Sequence, residues 1–157
     1  MNENDDFSRF LARQAEAEKA MVEGDVDPRL ALWSTTDPVS VMGAWGPNEL
    51  GWDAVSQTFR WVADEFGRAK FSDYRYEVSV AEASGDMGYS VGFERFNSVG
   101  DDGTLKPITV RVTHVYRREG GEWKIVHRHG DFAPSGKRGD HIRLHGQPTP
   151  PEPSGVP

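Results

Sequence analysis

The hydrophobic period of this chain changes once, and the change divides it into two kinds of structure. Trp52, Val55, Phe59, Val62 and Phe66 recur at spacings of three and four, the period of one helix face, and Gly67 supplies a stop. Beyond it the period drops to two. Tyr74, Tyr76, Val78 and Val80 alternate with Arg75, Glu77 and Ser79, as on a strand with one covered face. The turn sequences GDMG, GDDG and EGGE then separate three more alternating runs, around Tyr89 to Phe93, Ile108 to Arg118 and Trp123 onward. Four long strands joined by hairpin-like turns make a meander.

Upstream of the change the signals are helical. Phe7, Phe10, Leu11, Met21 and Val22, with alanines between, read as an amphipathic helix capped by Asp5 or Asp6 and ended by Gly24. Asp27 before Pro28 reads as a cap with proline at the first helical position, opening a short second helix. PVSVMGAWG, bounded by Pro38 and by Gly46-Pro47, reads as a short strand ending in a turn. Three helices ahead of an antiparallel meander predict an α+β fold in which the helices cover one face of a curved, mainly antiparallel sheet. The folded domain is expected over residues 1–133. Residues 134–157 are rich in Pro and Gly without periodicity and are expected to form a flexible tail. The alternative for its basic residues Lys137, Arg138 and Arg143, with His141 and His145, is contact with the acidic first helix of a partner chain.

Composition narrows the function classes. At 157 residues the chain suits one domain with a real core. Cysteine is absent, which removes disulfides, thiolate metal sites and cysteine nucleophiles. The formal charge of -7 argues against a nucleic-acid partner, and much of it falls within residues 1–27 as a solvated helix face. No apolar run is long enough to span a membrane. The acidic start MNENDD lacks the pattern of a secretory signal, so a cytoplasmic location is the default expectation.

Candidate site residues follow from strand parity. In EWKIVHRHGDF, His127, His129 and Asp131 continue the parity of Trp123 and Ile125, with Cα atoms about 6.5–7 Å apart along one face. If that face looks into a cavity, a histidine oriented by a carboxylate is a general acid or base near neutral pH. The alternative is hydrogen-bonded core histidines, with Asp131 capping a turn. A metal would need His114 or Asp131 to complete a set with the His-x-His pair, and nothing else has ligand spacing, so neither metal nor cofactor is expected. On the preceding strand Val110, Val112, His114 and Tyr116 form the apolar face, which makes His114 inward and Arg111 outward. With Tyr89, Val91 and Phe93 taken as core, Arg95 points inward and Glu94 outward. Trp33, Trp45, Trp52 and Trp61 read as core or pocket wall; Trp52 falls on the apolar stripe of its helix and Trp61 off it, so that Trp61 either lines the pocket mouth or meets a partner.

The run RVTHVYRREGGEWKIVHRHGDF, following helix, helix, strand, helix and two strands, resembles the nuclear transport factor two-like superfamily, in particular its SnoaL-like and ketosteroid-isomerase-like members. It is also similar to the association (hub) domain of calcium/calmodulin-dependent kinases, with its arginine pair, Gly turn, Trp and His-x-His. The resemblance implies a conical α+β barrel around a deep, largely apolar pocket, usually in a homodimer packed through its sheets. It further implies a small-molecule ligand, expected to be hydrophobic or aromatic, and supports His114, with Arg111, as pocket positions; Arg95 and Tyr89 by strand parity and Trp45 and Trp61 as aromatic walls complete the candidate ligand-binding set. Function is either cofactor-free isomerase, cyclase or hydrolase chemistry at His129, Asp131 and His127, or ligand binding or oligomerisation without chemistry. Fold alone does not choose between them.

Overall fold

The computed structural model describes residues 3–133, with side chains from Asp5 onward. Helices α1 (Glu3–Val22) and α2 (Asp27–Leu32) are followed by β1 (Ser40–Met42), β2 (Asn48–Leu50) and α3 (Trp52–Arg68). The long strands β3 (Phe71–Ser84), β4 (Met87–Val99), β5 (Leu105–Glu119) and β6 (Glu122–Phe132) complete the fold. The tail expected over residues 134–157 lies outside the described residues. Among the described residues no helix is long and apolar enough to cross a membrane.

One six-stranded sheet runs in the order β2-β1-β6-β5-β4-β3. The meander β3 to β6 is antiparallel throughout, whereas β1 lies parallel to β6 and pairs antiparallel with β2. The sheet is not closed: β2 and β3 remain its edges. The fold is therefore a mixed α+β layer of three helices on a curved open sheet, as the period change predicts, with β2 unannounced by the sequence.

Local chemistry differs from expectation at two helix starts. Asp5 and Asp6 lie inside α1 rather than capping it. Val26, not Asp27, is the cap residue of α2, and Asp25 Oδ1 accepts the Asp27 N–H at 3.1 Å. Pro28 sits in the first turn, where its missing N–H costs nothing.

The core fills the space between helices and concave sheet. Phe7 and Phe10 of α1 meet Tyr116 of β5 edge-on at 5.2 and 5.6 Å, and Trp33 meets Phe59 of α3 at 4.7 Å. Met21, Trp33, Val55, Tyr116 and Ile125 are essentially sealed from solvent. The ends of α1 and α3 approach closely at Gly24, whose φ of 94° is open to glycine and where a Cβ would lie 2.9 Å from Gly67 Cα.

Candidate functional site

The interior of the cone is charged. Gln14 and Glu18 continue the buried stripe of α1 between Phe10 and Met21, so the helical period that buries two aromatics also buries an amide and a carboxylate. Arg29 enters from α2, Glu94 from the inner face of β4, His114 from β5 and Arg128 from β6, all of them buried. A buried charge is tolerated only when paired and hydrogen-bonded, and here the pairs are explicit. Arg29 Nη2 is bonded to Glu18 Oε2. Arg128 Nη2 donates to Glu94 Oε2 at 2.5 Å, and the Tyr74 hydroxyl donates to Glu94 Oε1 at 2.7 Å.

His114 joins the two pairs. Its Nδ1 lies 3.1 Å from the Tyr76 hydroxyl and its Nε2 lies 3.4 Å from Arg128 Nη1 and 3.7 Å from Glu18 Oε1. Burial holds the His114 pKa well below the usual imidazole range, and the positive charge of Arg128 adds to the effect, so the ring is neutral. Burial pushes Tyr76 up to about 12 and raises Tyr74 and Tyr116 as well. These phenols are neutral donors at physiological pH. Burial opposes the charge of Arg128, but the carboxylates of Glu94 and Glu18 outweigh it and raise its pKa.

Arg29, Glu94 and Arg128 form the polar side of a cavity of about 40 Å³ walled by Phe59, Phe66 and Phe96. That volume accommodates about one or two waters, whereas ligand pockets run to roughly 300–1,000 Å³. Trp45 closes it. On the turn between β1 and β2, its ring meets Phe66 at 5.2 Å and Phe132 at 5.0 Å edge-on and tilts over Phe96 at 6.4 Å, while 45% of the residue stays exposed. A larger open groove of about 800 Å³ lies between α1 and the β3–β4 turn, lined by Phe7, Leu11, Met87 and Tyr89. It presents no buried ionisable group; the buried charges lie in the cone.

The sequence-predicted residues divide. His114 lies within the interior network and Trp45 at the mouth. His127, His129 and Asp131 do not face inward. The β5–β6 register steps from Tyr116 opposite Ile125 to Val115 opposite His127, so Val126 is an extra residue in β6. That bulge reverses parity, turning Arg128 inward and the three predicted groups onto the convex face. There the His127 Nδ1 bonds the Ser40 hydroxyl at 2.7 Å, and Asp131 is held in a two-point pair by Arg111, with Nε to Oδ1 at 2.8 Å. Burial lowers the His127 pKa, helped by His129, and the Arg111 hydrogen bond lowers that of Asp131.

On β4 the expected faces are likewise exchanged. Gly88, Ser90, Gly92, Glu94 and Phe96 point inward, whereas Tyr89, Val91, Phe93 and Arg95 point outward. Two of the inner positions must be glycine because α1 and β3 lie against them: a Cβ on Gly88 would sit 3.1 Å from Phe7 Cζ, and one on Gly92 would sit 2.0 Å from the Glu77 carbonyl oxygen. Arg95 pairs with Glu77 at 3.0 Å, Tyr89 lies 3.5 Å from Glu82, and Trp61 is 52% exposed on α3. Arg111 is outward, as its parity predicts.

Sequence reasoning passed over Glu18, Arg29, Arg128, Tyr74 and Tyr76 as interior polar groups. For Glu18 a signal existed, because Phe10, Gln14, Glu18 and Met21 keep helical spacing across two polar residues. For Arg128 none did, since the bulge leaves no mark in the residue pattern.

The fold has counterparts among solved structures. A nuclear transport factor 2-like superfamily protein from Salmonella enterica is 18% identical, with a TM-score of 0.65 over 87% of this chain and 94% of that one. A candidate dehydratase of the NTF2-like family from Streptomyces avermitilis is 21% identical, with a TM-score of 0.68 over 85% of this chain and 100% of that one. A candidate calcium/calmodulin-dependent protein kinase type II association domain from Thiobacillus denitrificans is 21% identical, with a TM-score of 0.62 over 75% of this chain and 90% of that one. At such identities the likeness is one of fold. No curated protein matches the sequence. The SnoaL-like domain model matches residues 12–134, most of the chain, and with it the protein belongs to the SnoaL-like domain family.

Proposed function

We propose that the protein binds a small, mainly apolar or aromatic molecule inside the cone, acting as a binding module rather than an acid–base catalyst. The ligand's ring rests among Phe59, Phe66 and Phe96 under Trp45, and its polar end reaches Arg128 and Glu94. The observation that carries this reading is the pairing of the buried charges. Glu18 is engaged by Arg29 and Glu94 by Arg128, so neither carboxylate is a free base of the kind proton abstraction needs. The acid–base role expected for His129, Asp131 and His127 would require a cavity on the convex face, where Asp131 is already occupied by Arg111. Because the cavity holds only about one or two waters, entry requires the Gly43–Pro47 turn to carry Trp45 outward.

The same proposal includes a homodimer through the convex face. Tyr89 and Val91 expose apolar surface there beside half-buried Val115, and two neighbouring charges are paired within the chain, Arg111 with Asp131 and Arg95 with Glu77. An apolar strip flanked by internally paired charges suits a second copy of itself. Sedimentation at micromolar concentration giving only a mass near 17.5 kDa would remove the dimer. Calorimetric titration with benzenesulfonamide, a neutral aromatic probe, tests the cone. Binding weakened at least tenfold by Trp45→Ala is the expected result, and equal binding by both proteins would place the ligand elsewhere.

A further inference from the structure

The buried charges of the cone balance, and one acceptor among them is left over. Arg29 and Arg128 carry two positive charges, Glu18 and Glu94 two negative ones, and no other ionised group is buried among the described residues. His114 between them is uncharged. Yet Glu18 Oε1 is buried without a hydrogen-bond partner, and the nearest ring nitrogen, His114 Nε2, stands 3.7 Å away. Arg29 Nε and Gln14 Nε2 are buried donors likewise without a partner, and Arg29 and Arg128 line the cavity. The resting network is thus neutral overall, with Glu18 Oε1 its unsatisfied acceptor.

A neutral guest leaves this balance alone. An anion against Arg29 and Arg128 adds a full negative charge to a site with room for little water to screen it, and an unbalanced buried ion is costly. The site contains its own remedy. We propose that the cone takes up an anionic ligand only together with one proton, which lodges on His114 between Arg128 and Glu18. The bookkeeping closes: the anion brings one negative charge, solvent supplies one proton, His114 becomes an imidazolium, and the interior returns to zero. The new Nε2–H gains Glu18 Oε1 as its acceptor, and Nδ1–H donates to the Tyr76 hydroxyl.

In the resting protein burial opposes a charge on His114 most, and Arg128 of β6, Arg29 of α2 and, from the far side of the sheet, His127 oppose it too; Glu94 of β4 and Glu18 of α1 favour it, and Tyr76 of β3 and Tyr116 of β5 are neutral phenols. An anion drawn against the two arginines offsets one of their two positive charges and so tips the balance at His114 toward the protonated ring. Proton and anion therefore bind cooperatively, each raising the affinity of the other.

This inference rests on the binding reading above, and the test separates the two. Benzenesulfonate stays ionised at every working pH, so a proton taken up with it must reside on the protein; benzenesulfonamide is its neutral counterpart. Titration calorimetry at about pH 6, in two buffers of different ionisation enthalpy, counts protons taken up per ligand. The expected result is close to one proton for the sulfonate and none for the sulfonamide, with sulfonate affinity falling up to about tenfold per pH unit as pH rises. In His114→Gln the uptake disappears. Should that variant not fold, nitrogen NMR of histidine-labelled wild-type protein reads the same event as His114 turning imidazolium only in the sulfonate complex, assigned against His127→Gln and His129→Gln. Sulfonate binding without proton uptake, uptake retained in His114→Gln, or binding of the sulfonamide alone at all pH values overturns the inference and leaves the binding reading standing. Failure of both probes to bind overturns both.

Discussion

Arg128 of β6 reaches across the hidden strand β5 to bond Glu94 of β4, Nη2 to Oε2 at 2.5 Å, with both side chains almost wholly removed from solvent. This pair spans three strands of the sheet from the inside and fixes the polar side of the cavity.

Arg128→Met therefore strands the Glu94 carboxylate in the core, and the expected loss is about 3–5 kcal/mol, the usual cost of removing one partner of a buried pair. Adding Glu94→Gln to that background removes the orphaned charge and is expected to recover most of the loss. Urea unfolding of the two variants checks both; a double variant as unstable as the single one would mean that the cost is packing rather than charge.

His114 gives the protein a pH dependence of definite sign. Its pKa is depressed in the folded state, so the unfolded chain binds its proton first. Stability is full above the unfolded value of about 6.5 and declines as pH falls through that value toward the folded one. His127 acts in the same direction but is only partly covered. Melting temperatures from pH 8 to 5 are expected to fall in the wild type, to flatten largely in His114→Gln, and to keep most of their slope in His127→Gln. Asp131, with a lowered carboxyl pKa, acts only further down, below about pH 4.

Trp45 is half exposed yet touches three phenylalanine rings at the mouth. Trp45→Ala is expected to lower stability by about 1–2 kcal/mol, less than a fully buried tryptophan, because much of the ring is already in water. A calorimetric melt gives the cost, and a loss above about 4 kcal/mol would show that the ring is a core element rather than a cover.

On the convex face, His129→Ala and Arg111→Ala should each shift stability by no more than about 1 kcal/mol, as exposed groups and solvent-screened pairs do. Benzenesulfonamide affinity should remain within about twofold of wild type, since neither side chain reaches the cavity. A tenfold loss in His129→Ala would move the site to the convex face and back to the residues that the sequence singled out.

The legible part of the candidate site was local. The inward direction of His114 followed from alternation along β5, because no irregularity interrupts Val110, Val112, His114 and Tyr116. Of Trp45 the sequence says only that it is one of several tryptophans suited to a core or a pocket wall. Alternation failed on β6 at Val126 and on β4 throughout, and it misplaced His127, His129, Asp131, Tyr89 and Arg95 together.

By itself the sequence determined the three helices, the four long strands and the α+β order, because hydrophobic period and turn residues act over a few neighbours along the chain. Only the tertiary structure decided which face of β4 and β6 looks inward. A bulge costs one unpaired residue and is selected by twist and packing across strands, and the small residues of β4 answer to Phe7 and the backbone of β3, which sequence distance hides. The buried carboxylates of Glu18 and Glu94 belong to that second kind: each is tolerable only beside an arginine, and the fold alone brings those arginines within reach.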